Sequence, residues 1–208
     1  MLKVIYDSRQ LLHDTSSLTI HGQPFFEVPE RANILHAALE ASGWCSIQPP
    51  QDYGLGPIEA VHAPDYLVFL RTIAEAGLKY RHQSGPAPVM GDVFHSPFAR
   101  RVSPHPWAQT GRYAFDIEVP YYPGTWEAAV GSAHCALTAA DLVIGGERVA
   151  YALCRPPGHH AMRSQAGGYC YLNNAAIAAR FLQQRHAGMR VAVLDFDFHH
   201  GNGTQEIF

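Results

Sequence analysis

The chain has 208 residues, 47% hydrophobic and 16% charged, and its 15 Lys and Arg against 18 Asp and Glu give a formal net charge of −3. That composition supplies a buried core and excludes a disordered chain, while near-neutral charge without a basic tail excludes the electrostatic footprint of a nucleic-acid binder. No run of about eighteen apolar residues and no long apolar N-terminal stretch is present, so the expectation is a cytoplasmic protein without a membrane span or signal peptide.

Residues 2–6 alternate in the β manner and predict a strand. Residues 29–43 predict a helix, with Pro29 in its first turn and Gly43 at its end. A second helix is expected over 64–77, where Tyr66, Leu67, Phe69, Leu70 and Ile73 form an apolar face. From 79 to about 123 the chain is rich in Pro, His, Arg and Gly, too long for an ordinary connection, and reads as a functional loop. Thr125 is expected to cap an Ala-rich helix that ends at Gly145 and Gly146. Residues 149–154 predict a strand, 174–187 a helix and 190–198 a second, β-branched strand. Strand, crossover helix and strand make a βαβ unit with parallel strands, and sites in such sheets gather beyond the strands' carboxyl ends. The whole, 1–208, reads as a single α/β domain without internal repeats.

Two chemically loaded stretches fall at those strand ends. In Leu194-Asp195-Phe196-Asp197-Phe198-His199-His200-Gly201-Asn202-Gly203, extended geometry puts Asp195, Asp197 and His199 on one face, and Phe196 and Phe198 on the other. Two carboxylates on one buried face need a cation or hydrogen-bond donors, which points to metal; the competing reading is an Asp/His turn bonded to its own backbone. A carboxylate and an imidazole are half of a tetrahedral zinc site, so a third protein ligand is missing from this stretch. In Arg155-Pro156-Pro157-Gly158-His159-His160-Ala161, adjacent imidazoles suit proton traffic, against the alternative of solvated loop histidines. In Gly167-Gly168-Tyr169-Cys170-Tyr171-Leu172-Asn173-Asn174, the glycines permit close approach and Tyr169 can wall a narrow slot, against an ordinary loop with helix-capping asparagines. Cys45, Cys135, Cys154 and Cys170 form no CxxC pair and read as reduced thiols.

RPPGHHA, GGYCYLNNAA and LDFDFHHGNGTQ, in that order, resemble the zinc-dependent deacetylases of the histone deacetylase superfamily, above all its bacterial acetylpolyamine amidohydrolase branch. Pro29-Glu30-Arg31, His62-Ala63-Pro64-Asp65-Tyr66 and Pro123-Gly124-Thr125-Trp126-Glu127 support it. The resemblance implies an arginase-like, three-layer α/β fold with a central, mostly parallel sheet, and zinc-dependent hydrolysis of an N-acetyl amide, with iron(II) the other metal. Asp197 and His199 resemble the first two metal ligands, Asp195 the carboxylate that orients His159, and His160 the general base and acid with His159 its electrostatic partner. Gly168 and Tyr169 resemble the tunnel wall, and a structural potassium ion is implied beside Asp195 and Asp197.

Asn202 stands where protein-directed deacetylases carry an aspartate, and the polyamine branch shares it; an amide orients His160 without a countercharge, so a neutral, basic ring is expected. Residues 79–122 resemble that branch's inserted loop, which implies a homodimer and a narrowed entrance, with Asp116 and Glu118 drawing a cationic polyamine and Glu118 recognising its amine. The implied substrate is a small acetylated polyamine. An acetyl-lysine protein deacetylase and a catalytically silent acetyl-amine-binding homologue are the other readings. The family's third zinc ligand, an aspartate, and its transition-state tyrosine belong to segments beyond Phe208, so the fold is expected to be incomplete on its C-terminal side.

Overall fold

From the N-terminus, β1 (Leu2–Ile5) leads through a 3-10 turn (Ser8–Leu12) into a hairpin of β2 (Thr19–Ile20) and β3 (Gln23–Pro24). There follow α1 (Pro29–Ser42), β4 (Cys45–Gln48), α2 (Gly56–Glu59), α3 (Pro64–Tyr80), α4 (Pro106–Tyr113), α5 (Thr125–Ile144), β5 (Ala150–Ala152), α6 (Asn174–Arg185) and α7 (Asn202–Ile207). The structure, a computed structural model, describes residues 1–80, 88–91, 93–94, 101 and 103–208.

β1 is the middle strand of a parallel sheet, with β4 on one side and β5 on the other; Val4 sits opposite Ile47 and Tyr151. Val4 and Ile5 are fully buried, as a strand covered on both faces requires. This is an α/β fold with a parallel sheet, as expected. β4 has no counterpart in the sequence reading because Cys45, Ser46, Ile47 and Gln48 carry no clean alternation. α5 has the length and mean hydropathy, 1.2, to cross a membrane, yet 67% of that stretch is buried inside the fold, where it packs against β1, β5 and α6.

Several boundaries move for physical reasons. α3 runs three residues past Gly77, where the missing side chain is a notch: a Cβ there would lie 1.9 Å from Val89 Cγ2. Thr125 is the first helical residue of α5 and Gly124, at φ +91°, occupies the cap position. The Thr125 hydroxyl instead accepts the Tyr122 N–H at 2.8 Å and meets His13 Nδ1 at 3.0 Å. The region expected to be an irregular loop, 79–122, lies partly outside the described residues, and its described part contains α4.

The larger correction concerns 190–198. This segment joins no sheet among the described residues, and Leu194, Phe196 and Phe198 are 86, 94 and 96% exposed. Two of its ladder donors are taken locally: Asp195 Oδ1 accepts the Asp197 N–H at 3.1 Å, and Asp197 Oδ1 accepts the His199 N–H at 2.8 Å. Side chains that capture the backbone donor two residues on compete with strand pairing at those two positions, and the expected pairing of this segment in parallel with β5 is not present among the described residues.

The aromatic core lies between α3, the stretch before α5 and the stretch before α6. Phe69 stacks at 4.6 Å from Tyr113 and 5.3 Å from Tyr121, Tyr121 lies 5.7 Å from Tyr171, and the Tyr66 hydroxyl donates to Tyr171 O at 2.6 Å. Below it sits a buried ion pair. Arg155, 3% exposed, donates Nε to Glu27 Oε1 at 2.7 Å and its terminal nitrogens to Gln10 O and His13 O at 2.6 and 2.7 Å. Burial pushes the Glu27 carboxyl above its ordinary range and the Arg155 charge pulls it back.

Replacing Arg155 by Ala strands the Glu27 charge and two carbonyls, and is expected to cost about 3–5 kcal/mol in chemical denaturation. A loss below about 1 kcal/mol, the scale of an exposed pair, would contradict this role.

Candidate active site

β5 delivers the first half of the site. Leu153 N still pairs with Ile5 O at 2.9 Å, Arg155 is anchored, and the chain then turns through Pro156, Pro157 and Gly158 to the two histidines. Gly158 lies so close to the start of α6 that a Cβ would be 2.6 Å from Asn174 N. The rings of His159 and His160 are 4.0 Å apart at 46°.

Each ring is held by a different partner from the second half. His159 Nδ1 donates to Asp195 Oδ2 at 2.9 Å, and His160 Nδ1 donates to Asn202 Oδ1 at 2.5 Å. A carboxylate and an amide oxygen only accept, so each imidazole carries a proton on Nδ1, and in the neutral ring Nε2 is the acceptor. His159 Nε2 lies 4.0 Å from Asp197 Oδ1, His199 Nδ1 lies 3.3 Å from the same oxygen, and the rings of His160 and His199 are 5.9 Å apart. The bond from His159 holds the Asp195 carboxyl below the usual carboxylate range, and the His199 N–H does the same for Asp197, so both are ionised at neutral pH.

The G-N-G sequence is shaped to this contact. A Cβ on Gly201 would fall 2.4 Å from Asp195 Oδ2, and one on Gly203 would fall 2.4 Å from Ala161 O; Asn202 between them reaches His160. Asn173, whose side chain caps α6 through Ala176 N at 3.0 Å, also donates to Ala161 O and Thr204 Oγ1, both at 3.1 Å. His62 accepts the Asn173 N–H on Nε2 at 3.0 Å and meets Met162 O through Nδ1 at 3.0 Å; burial draws its pKa down to about 4 and keeps the ring neutral.

Gly168 packs against the His160 ring, and Tyr169 follows it. Both adopt left-handed backbone, φ +50° and +67°, and a Cβ on Gly168 would fall 2.2 Å from His160 Cδ2. The Tyr169 ring meets Phe25 edge to face at 5.0 Å. Phe25, delivered by the β2–β3 hairpin, had no signal in the sequence, since a single aromatic after a short hairpin looks like any core residue. Burial, then the charge of Asp116, raises the half-buried Glu118 carboxyl, while His199 and His160 pull it back, so Glu118 senses the histidine cluster. Asp116 does not stand free: its carboxylate accepts Glu118 N at 2.9 Å and Gly168 N at 2.7 Å.

The fold thus brings together His159, His160, Asp195, Asp197, His199, Asn202 and Gly168. Asp197 and His199 present an adjacent oxygen and nitrogen, but no group of three or more His, Cys, Asp or Glu able to hold a metal occurs among the described residues. Two donors each about 2.1 Å from a tetrahedral zinc sit about 3.4 Å apart, which the observed 3.3 Å matches. The pair fits two corners of such a site.

The sequence pattern of the histone deacetylase domain matches residues 25–208. The chain is 41% identical to acetylpolyamine amidohydrolase 1 of Pseudomonas aeruginosa over 98% of its length and 59% of that protein's. It is 49% identical to the acetylpolyamine amidohydrolase of Burkholderia pseudomallei over 88% and 52%. The crystal structure of an acetylpolyamine aminohydrolase from Burkholderia pseudomallei superposes with a TM-score of 0.87 at 45% identity, covering all of this chain and 60% of that one. The chain therefore spans a little over half the length of these relatives.

Replacing Gly168 by Ala is expected to push the His160 ring off Asn202, at about 1–3 kcal/mol of stability. The downfield Nδ1 proton resonance of His160 then disappears while that of His159 on Asp195 stays; retention of both would show that Gly168 does not set the ring. The matched domain, the relatives and the superposition agree, and the chain belongs to the histone deacetylase family.

Proposed function

We propose that the protein is a zinc-dependent amidohydrolase that releases acetate from acetylated polyamines, N-acetyl amide and water giving acetate and amine. The observation that carries this reading is the pair of imidazoles with fixed Nδ1 partners, both offering Nε2 beside the Asp197 and His199 donors. The printed names of the relatives supply the substrate class.

Asp197 and His199 would hold the zinc ion as two of its ligands. Bound there, zinc supplies Lewis-acid polarisation of the amide carbonyl and of water. His160 Nε2 takes the water proton, its ring aimed by Asn202 through Nδ1. The proton then passes to the departing amine nitrogen, so the histidine returns to its starting state. Asp195 orients His159 and balances positive charge on it, whereas Asn202 orients His160 without a countercharge. Two imidazolium rings 4.0 Å apart repel each other, so different partners divide the work between charge stabilisation and proton transfer. Gly168, Tyr169 and Phe25 wall the acyl slot, and Glu118 faces the amine end. A homodimer through 79–122, a structural potassium ion beside Asp195 and Asp197, and a cytoplasmic location are carried by the family resemblance alone.

The zinc-loaded protein is expected to hydrolyse an N-acetylated polyamine with a higher kcat/KM than an acetyl-lysine peptide, and His160→Ala to lower kcat by about 10²–10⁴-fold. Preference for the peptide would make it a protein deacetylase, and binding without turnover a silent homologue; either would overturn the proposal.

A further inference from the structure

The segment carrying Glu118 and the segment carrying Tyr169 are bonded to each other side by side. Gln165 Nε2 donates to Arg112 O at 3.0 Å, Ala166 N to Tyr113 O at 2.8 Å, and Phe115 N to Ala166 O at 3.1 Å, a short parallel bridge. The Phe115 ring then fills the space beside Gly167, where a Cβ would fall 2.0 Å from it. Backbone pairing stops at the next residue, because Gly168 and Tyr169 are left-handed and their peptide groups no longer point along a ladder.

Asp116 takes over at that point. Its Oδ2 accepts the Gly168 N–H at 2.7 Å and its Oδ1 the Glu118 N–H at 2.9 Å. Each oxygen thus accepts one backbone donor, so Asp116 holds backbone in addition to any attraction its charge exerts on a cationic polyamine. Gly168 in turn is packed on the His160 ring. One carboxylate therefore links the residue that touches the imidazole to the backbone of the acid two residues along. Charge-assisted bonds of this kind are the stronger class of hydrogen bond, and a second, aromatic contact at Gly167 stops the two segments from sliding.

We infer that Asp116 is a positioning residue that fixes the separation between the acetyl end of the slot, at Gly168 and Tyr169, and the amine end, at Glu118, and so selects the length of acetylated diamine. The inference rests on the acetylpolyamine reading. A ligand that must satisfy two anchor points at once is selected by length only while their separation is rigid.

The test uses the zinc-loaded full chain with N-acetylated α,ω-diamines of increasing methylene number and an uncharged N-alkyl acetamide. The unsubstituted protein is expected to show an optimum of kcat/KM at one diamine length. Asp116→Ala is expected to flatten that profile and raise KM for the optimal diamine about tenfold more than for the acetamide, the scale of one lost charge-assisted bond. Amide hydrogen exchange at Gly168 and Glu118 accelerates with it. Asp116→Asn, the same size with one acceptor oxygen, falls between the two and guards against misfolding of the Ala variant. An unchanged length profile in both variants overturns the inference alone, as does an equal loss for diamines and acetamide without faster exchange at Gly168. Failure of the unsubstituted protein to hydrolyse any acetylated diamine overturns the acetylpolyamine reading and the inference with it.

Discussion

A single buried guanidinium ties the site to the start of the chain. Arg155 ends the β5 segment and bonds Glu27, Gln10 O and His13 O, while four residues later the chain presents His159. Taking an ion pair out of water is expensive, and its attraction offsets that cost only where geometry and extra hydrogen bonds are good. Three bonds at 2.6 to 2.7 Å meet that condition. The same N-terminal stretch carries Phe25, which packs on Tyr169. The Phe25–Tyr169 contact and the histidine pair are thus referred to one anchor. His13, packed edge-on to Tyr171 at 5.2 Å, is drawn by burial to a pKa of about 3, so it adds no second positive charge beside Arg155.

Around that anchor the site is assembled from loops that approach more closely than side chains allow. Gly158 against Asn174, Gly168 against His160 and Gly203 against Ala161 are contacts of backbone with site. Loops so placed need bonds to replace the missing ladders, and carboxylates and amides supply them: Asn173 to Ala161, Asp116 to Gly168, Asp195 to Asp197 N. The carboxylate side chains of 195–197 thereby play two parts, taking backbone donors and presenting oxygens to His159 and His199.

This division explains what the sequence made legible. Helices α1, α5 and α6 were readable from their breakers and apolar spacing, and the clustering of His159, His160, Asp195, Asp197 and His199 from alternation along an extended segment and a turn at a strand end. Residues 190–198 keep that alternation yet form no strand, because periodicity reports which side chains share a face and not whether a neighbour is there to accept the backbone bonds. The role of Thr125, the continuation of α3 past Gly77 and the strand β4 depended on tertiary contacts with His13, Val89 and β1. Phe25 and the bonding of Asp116 join segments more than fifty residues apart, where no local pattern exists to read.

In the proposed mechanism Asp197 and His199 form part of a zinc site served by the two histidines. Zinc bound per chain after dialysis, measured on the whole protein and on Asp197→Ala and His199→Ala, tests it most directly. Near-stoichiometric zinc is expected in the unsubstituted protein, and its loss in both variants. Zinc retained by both, or absent from all three, would contradict it.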